Sequence, residues 1–86
     1  MRVLVIKEGE MLVAQGLERD ICAQAPDIET LAQRFHETVI AEQADGCFDQ
    51  IPPAPHEFHA MWDAGEDLSS PFDRASPDQI EARLAA

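Results

Sequence analysis

Apolar residues between positions 28 and 39 recur every third or fourth residue, and this spacing predicts an amphipathic helix. Asp27 can cap its N-terminus, Glu29 places negative charge in the first turn, and Gly46 is suited to end it. The predicted helix has one stripe that must be covered, formed by Ile28, Leu31, Ala32, Phe35 and Val39.

Three short apolar runs precede this helix and predict β-strands at residues 3–6, 11–14 and 21–25. A Lys-Glu-Gly-Glu sequence joins the first two runs, as is typical of a β-hairpin turn. A helix laid across one face of an antiparallel three-stranded sheet would bury both apolar surfaces. We therefore predict an α+β fold built on a two-layer β-β-β-α unit.

The first predicted strand is apolar at both alternating sets of positions, Val3 and Val5 on one side and Leu4 and Ile6 on the other. Successive side chains of a strand point to opposite faces of the sheet, so both faces of this strand need a cover. The helix covers one face, and we expect another element to cover the second.

Residues 47–86 have a different character, although the chain is short enough to form a single domain with the core at residues 1–46. Three prolines between positions 52 and 55 exclude interior helix and central strand, which predicts an extended crossing over the surface of the core. Two short helices are predicted after it. One covers residues 55–65, and one starts with a Ser-Pro-Asp-Gln capping box and covers residues 76–84.

Phe58, Met61 and Trp62 share one side of the first of these short helices. Two interpretations remain open for this group. It can pack back on its own domain as a satellite of the core, or it can form a contact with a second subunit or another partner.

Acidic residues outnumber basic residues by 17 to 6 and give the chain a formal net charge of −11. Direct binding to DNA or RNA requires a basic surface, so this charge argues against it. Long-range attraction would favour a basic protein partner, whereas the alternative is that the acidic residues only maintain solubility. An ordered core of about 45 residues is marginal alone, so we also expect a homodimer or a higher oligomer.

The sequence contains no motif typical of a catalytic, cofactor-binding or metal-binding site. His56 and His59 form a His-x-x-His pair, one residue shorter than the metalloprotease motif, and a structural zinc site needs four ligands. Cys47 has no adjacent cation to activate it, and Cys22 in a predicted strand is expected to be buried and inert. We therefore expect no enzymatic activity, no cofactor and no metal.

The sequence has no apolar run of transmembrane length and no start typical of a signal peptide. Its two cysteines do not form a disulfide framework. These features predict a cytoplasmic protein with reduced thiols that does not bind a membrane.

Residues 3–46 resemble the HicB-like antitoxin family of bacterial toxin–antitoxin systems. The resemblance lies in the Gly-containing hairpin at residues 6–10, the Val-Ala-Gln-Gly-Leu-Glu segment at residues 13–18, the short strand before Pro26, and the helix that opens at residues 28–31. It implies a partial ribonuclease-H-like unit. In that family such a core neutralises a small basic ribonuclease toxin by covering its active face.

The sequence departs from the family in residues 11–12, where an aromatic residue is usual, and in residues 25–27, where a glycine turn is usual. Residues 47–86 have neither the length nor the basic charge of the DNA-binding module that such antitoxins carry. Two hypotheses follow. The chain is an acidic, HicB-like interaction domain with a basic partner such as a ribonuclease toxin, or it is an orphan self-associating structural or regulatory domain without one.

Overall fold

The computed structural model describes residues 1–68, Phe72 and residues 80–85. In chain order its strands and helices are β1 (Arg2–Glu8), β2 (Met11–Gly16), β3 (Cys22–Ala25), α1 (Ile28–Ala44), α2 (His56–Met61), β4 (Glu66–Asp67) and β5 (Glu81–Leu84). Two 3₁₀ turns, Phe48–Gln50 and Trp62–Ala64, lie before and directly after α2.

The strands form one sheet in the order β3-β2-β1-β5-β4. Strand β1 pairs antiparallel with β2 and parallel with β5, and the two outer pairs are antiparallel. The predicted α+β class is confirmed, but the described sheet has five strands rather than the three expected. Gly9 turns the β1–β2 hairpin with a φ of 60°, a conformation in which side chains other than glycine are strained.

The predicted helix and its apolar stripe are confirmed in α1. The Asp27 side chain accepts a hydrogen bond from the Thr30 backbone N–H at 2.8 Å and caps the first turn. Gly46, with a φ of 73°, follows the end of the helix. The stripe packs on the sheet, with Ile28 half-buried and with Leu31, Ala32, Phe35 and Val39 buried.

Strand β1 lies in the middle of the sheet and is covered on both faces, as its sequence predicted. Val3 and Val5 belong to the core cluster beneath α1, together with Phe35. Leu4 points to the opposite face and packs in a second cluster, with Leu17, Ala54 and Trp62 as its other buried members. The second cover therefore comes from the chain itself.

The proline-containing segment is tied to the loop after β2 by backbone hydrogen bonds. The Ala54 N–H donates to the Leu17 carbonyl at 3.0 Å, and the Asp20 N–H donates to the Pro52 carbonyl at 2.7 Å. These bonds hold residues 52–54 against the second face of the sheet and place Ala54 in the second cluster.

The predicted helix at residues 76–84 is wrong for residues 81–84, which form strand β5, while residues 76–79 lie outside the described part. The sequence pattern fits both structures, because Ile80 and Leu84 are four apart and Ile80 and Ala82 are two apart. Pairing with β1 decides between them, since the open side of β1 needs hydrogen-bond partners. The Glu81 N–H donates to the Met1 carbonyl, and the Ala85 N–H donates to the Val5 carbonyl.

Candidate interaction surface

The three residues predicted as a possible contact surface do not act as one group. Trp62 is only 5% exposed and packs in the second cluster of its own chain, and Phe58 lies half-buried at the edge of that cluster. Met61 is 36% exposed. Within the single chain, Trp62 and Phe58 therefore pack as satellite core, and a contact of this segment with a second molecule stays a prediction.

Two arginines cover the Trp62 ring. The guanidinium carbons of Arg2 and Arg83 lie 5.6 Å and 4.6 Å from the ring centroid, within the range of cation–π contacts. Arg83 also donates a hydrogen bond from Nη1 to the Trp62 carbonyl at 3.0 Å. Both cations therefore stabilise the second cluster.

Arg2 also forms an ion pair with Glu18. Its backbone N–H donates to Glu18 Oε1 at 2.6 Å, and its Nε donates to Oε2 of the same carboxylate. Partial burial raises the pKa of Glu18, but these hydrogen bonds and the charge of Arg2 together hold it below its ordinary value of 4.5. Glu18 is thus a structural carboxylate that fixes the start of β1.

The other described arginines are also engaged by the fold. Arg19 lies 3.7 Å from the Asp49 carboxylate and over the Phe48 ring, with 5.4 Å between its guanidinium carbon and the centroid. Arg34 donates from Nη1 to the Gln24 carbonyl at 2.9 Å. All four arginines of the described residues therefore contact their own chain.

Carboxylates, in contrast, face outward on almost every element. The exposed acidic residues of the described part are Glu8, Glu10, Asp20, Asp27, Glu29, Glu37, Asp45, Asp49, Glu57, Asp63, Glu66, Asp67 and Glu81. With a formal net charge of −11 for the whole chain, this arrangement gives a surface of strongly negative potential.

The carboxyl groups with shifted pKa values have structural roles. Hydrogen bonds from the Thr30 backbone N–H and hydroxyl lower the pKa of Asp27 below its ordinary value of 3.8, because they favour the charged form that caps α1. Among the described residues, Glu18 is the other carboxyl group with a shifted pKa, and it pairs with Arg2. Among the described residues, no three His, Cys, Asp or Glu side chains are grouped to hold a metal ion, so His56, His59 and Cys47 are not brought together as one.

The expectation that Cys22 is buried is wrong. Both cysteines are free and exposed. Strand β3 is at the edge of the sheet and pairs on one side with β2. Its alternating pattern buries Ala25, half-buries Ala23 and turns Cys22 and Gln24 outward.

An apolar pocket opens on the α1 side of the sheet, where the β1–β2 hairpin meets the first turn of α1. Its volume is about 320 Å³, and it is lined by Val5, Lys7, Leu12, Ile28, Leu68, Leu84 and Ala85. Lys7 is the only charged side chain among the described residues of this lining. Sequence reasoning placed Leu12 in a predicted strand and Ile28 on the apolar stripe of the helix. It missed the pocket, because the pocket exists only once Leu68 and Leu84 lie beside them.

Comparison with protein-family models, with characterised proteins and with solved structures gave no significant match for this chain. Within the part of the chain that the structure describes, no helix is both long and apolar enough to cross a membrane. The candidate surface has three features. Carboxylates are exposed on almost every element, an apolar pocket lies beside the β1–β2 hairpin, and the edge strand β3 carries no charged residue.

Proposed function

We propose that this protein is a non-catalytic, acidic interaction domain, similar to a HicB-type antitoxin, that binds a basic protein such as a small ribonuclease toxin. The observation that carries the proposal is that the basic and acidic side chains of the described residues differ in their surroundings. The four described arginines contact their own chain, whereas most of the described carboxylates are exposed. The outer surface is left strongly negative.

A surface of this kind attracts a basic partner over a long range. Clefts and faces of one sign can raise association rates by about 10- to 1,000-fold, and the effect falls steeply with salt. The Debye length shortens from about 10 Å at 0.1 M salt to about 3 Å at 1 M. Binding that depends on this surface should therefore weaken strongly between these two conditions.

The resemblance to HicB-like antitoxins is supported by the order of the first four elements, three antiparallel strands followed by a helix on one face of the sheet. In such a complex the acidic chain would cover the basic active face of the toxin and exclude its RNA substrate. No catalytic group of the acidic chain is needed for this inhibition.

The experiment is affinity capture from a lysate of the source cell at low and high salt, with captured proteins identified by mass spectrometry. We expect one small basic protein in stoichiometric amount at low salt and its release at high salt. Two variants with the same charge change locate the contact: Glu8→Gln with Glu10→Gln at the hairpin, and Glu57→Gln with Asp63→Asn near α2. Capture of no stoichiometric basic protein at either salt would refute the proposal.

A second candidate function, self-association without a toxin partner, is favoured by strand β3. This edge strand carries no charged residue. The Arg34 side chain donates a hydrogen bond to one of its carbonyl groups, that of Gln24. Uncharged edges readily pair with another strand. The opposite edge strand, β4, consists of Glu66 and Asp67 and is protected by its charge.

Self-association is tested by measuring the mass in solution over a range of protein concentrations. If β3 pairs with a second copy, Cys22→Lys should dissociate the oligomer, because it places a cation at the paired edge. Cys47→Lys is the matched control, since Cys47 is also exposed but lies after α1 and not in β3. A monomer at all concentrations, or an oligomer that both variants retain, would exclude pairing through β3.

A further inference from the structure

Strand β3 has one open edge in the described sheet. It pairs with β2 on one side, and no described strand lies on its other side. The exposed Arg34 side chain reaches this edge from α1 and donates from Nη1 to the Gln24 carbonyl at 2.9 Å. A side chain of the helix thus binds a backbone group of the kind that pairs with an added strand.

The hydrogen bonds between β2 and β3 show which backbone groups the open edge presents. In an antiparallel pair, opposite residues alternately exchange two hydrogen bonds and none. The Gly16 N–H donates to the Ile21 carbonyl at 2.8 Å. Alternation from this pair turns the N–H and C=O groups of Cys22 and Gln24 away from β2, in agreement with the Arg34 contact. The open edge therefore presents two N–H groups and two carbonyls.

A second copy of β3 can pair with all of these groups in one antiparallel register. With Ala23 opposite Ala23 of the second copy, Cys22 lies opposite Gln24, and the two such pairs exchange four hydrogen bonds. The strand reads Cys-Ala-Gln-Ala, so this pairing places no like charges opposite each other. Exposed carboxylates lie on almost every other element and repel a second copy. The β3 edge is therefore where two copies of this chain meet the least repulsion.

Arg34 competes with this pairing. Two of the four hydrogen bonds need a Gln24 carbonyl, one from each copy. In the single chain, Arg34 Nη1 lies at the distance from this oxygen that a backbone nitrogen of an added strand would take. We infer that the hydrogen bond from Arg34 to Gln24 is an autoinhibitory contact, which keeps β3 from pairing with β3 of a second copy.

The contact gives β3 a protection that its own sequence lacks. Edge strands of soluble proteins commonly carry charged side chains that oppose pairing with another chain. At the opposite edge, β4 consists of Glu66 and Asp67 and supplies these charges itself. At the β3 edge the charge comes from α1. The inference concerns the edge named in the second candidate function, but it does not require the unchanged protein to self-associate.

The test is Arg34→Ala, which removes the donor and places a good helix former in α1. A hydrogen bond changes an equilibrium by about fivefold, and a symmetric dimer must break one Arg34 contact in each copy. We therefore expect the dimerisation constant to rise about 25-fold, measured by sedimentation equilibrium over a range of protein concentrations. A reducing agent prevents the exposed cysteines from forming a disulfide between copies.

Lys7→Ala is the matched control, because it makes the same replacement and removes the same charge at an exposed site of β1. Loss of a cation alone increases the repulsion between copies, so this variant should associate no more tightly than the unchanged protein. Hydrogen exchange followed by nuclear magnetic resonance locates the contact, since the amides of Cys22 and Gln24 should become protected in the Arg34→Ala dimer. Circular dichroism checks the fold, and Arg34→Met replaces the alanine variant if that variant is unfolded.

The outcomes separate this inference from both candidate functions. An unchanged dimerisation constant, or equal rises for Arg34→Ala and Lys7→Ala, would overturn it. A dimer in which the amides of Cys22 and Gln24 exchange as fast as in the monomer would overturn it too. If Cys22→Lys dissociates an oligomer of the unchanged protein but Arg34→Ala does not tighten it, the inference fails and self-association through β3 stands. The lysate capture decides separately whether a basic partner exists.

Discussion

Replacing Trp62 by alanine tests whether the second cluster stabilises the single chain. The side chain is 95% buried, and its truncation is comparable to other tryptophan-to-alanine changes in cores, which cost about 3–5 kcal/mol. Loss of its contacts with Arg2 and Arg83 adds about 0.5–1 kcal/mol each, as for cation–π contacts near solvent. A protein of 86 residues has a free energy of unfolding of about 4–13 kcal/mol, so a third or more of it would be lost.

The assay is urea denaturation followed by far-ultraviolet circular dichroism at two protein concentrations. Fluorescence cannot follow the variant, because Trp62 is the only tryptophan of the sequence. Met61→Ala is the matched control, since its side chain is exposed in the same segment and its loss should change stability by about 0.5 kcal/mol or less. Trp62→Phe keeps an aromatic ring and should fall between the two.

A loss below about 1 kcal/mol for Trp62→Ala would refute the packing described for the second cluster, because so small a change is typical of a surface site. The packing would also be contradicted if the urea midpoint of the unchanged protein rose with protein concentration and that of the variant did not. In that case Trp62 would stabilise a contact between chains rather than the fold of one chain.

Three further predictions concern the core, an ion pair and the thiols. Phe35→Asp should unfold the protein, as judged by circular dichroism, because it buries an unpaired charge at a fully buried position; a folded variant would contradict the helix-on-sheet core. Glu18 has a lowered pKa, so its ion pair with Arg2 should stabilise the fold above about pH 4.5 and stop doing so as the pH falls through the lowered pKa. Glu18→Gln should remove that part of the pH dependence of the urea midpoint, and an unchanged profile would refute it. Cys22 and Cys47 should both react with a thiol reagent in the native state, and a single-cysteine variant that reacts only after unfolding would contradict its exposure.

The helix α1 could be predicted from the sequence because local and global requirements agree there. Asp27 is a capping residue, the apolar spacing matches the helical period, and Gly46 can adopt the left-handed conformation that follows the last turn. The cover on both faces of β1 was predictable for a similar reason. A strand with two apolar faces is unstable unless both are buried, whatever the rest of the fold.

Strand β5 could not be predicted in this way, because its sequence satisfies both periods. Ile80 and Leu84 would share a helical face, and Ile80 and Ala82 share a sheet face. The choice depends on the open side of β1, which is distant in sequence. The exposure of Cys22 depends on the same kind of information, since an edge strand and a central strand of equal composition differ only in their neighbours.

The location of the charges argues for binding more strongly than their number does. Acidic residues that only maintained solubility would serve equally well beside exposed arginines, because net charge is what opposes aggregation. Here Arg2, Arg19 and Arg83 are partly buried against Glu18, Asp49 and Trp62, whereas Arg34 is exposed and donates to the Gln24 carbonyl. The repulsion among the remaining carboxylates destabilises the compact state, so salt should stabilise the fold by screening it while weakening the capture of a basic partner. Opposite responses of stability and binding to salt are the expected outcome, and a stability that falls as salt rises would contradict net repulsion among the carboxylates.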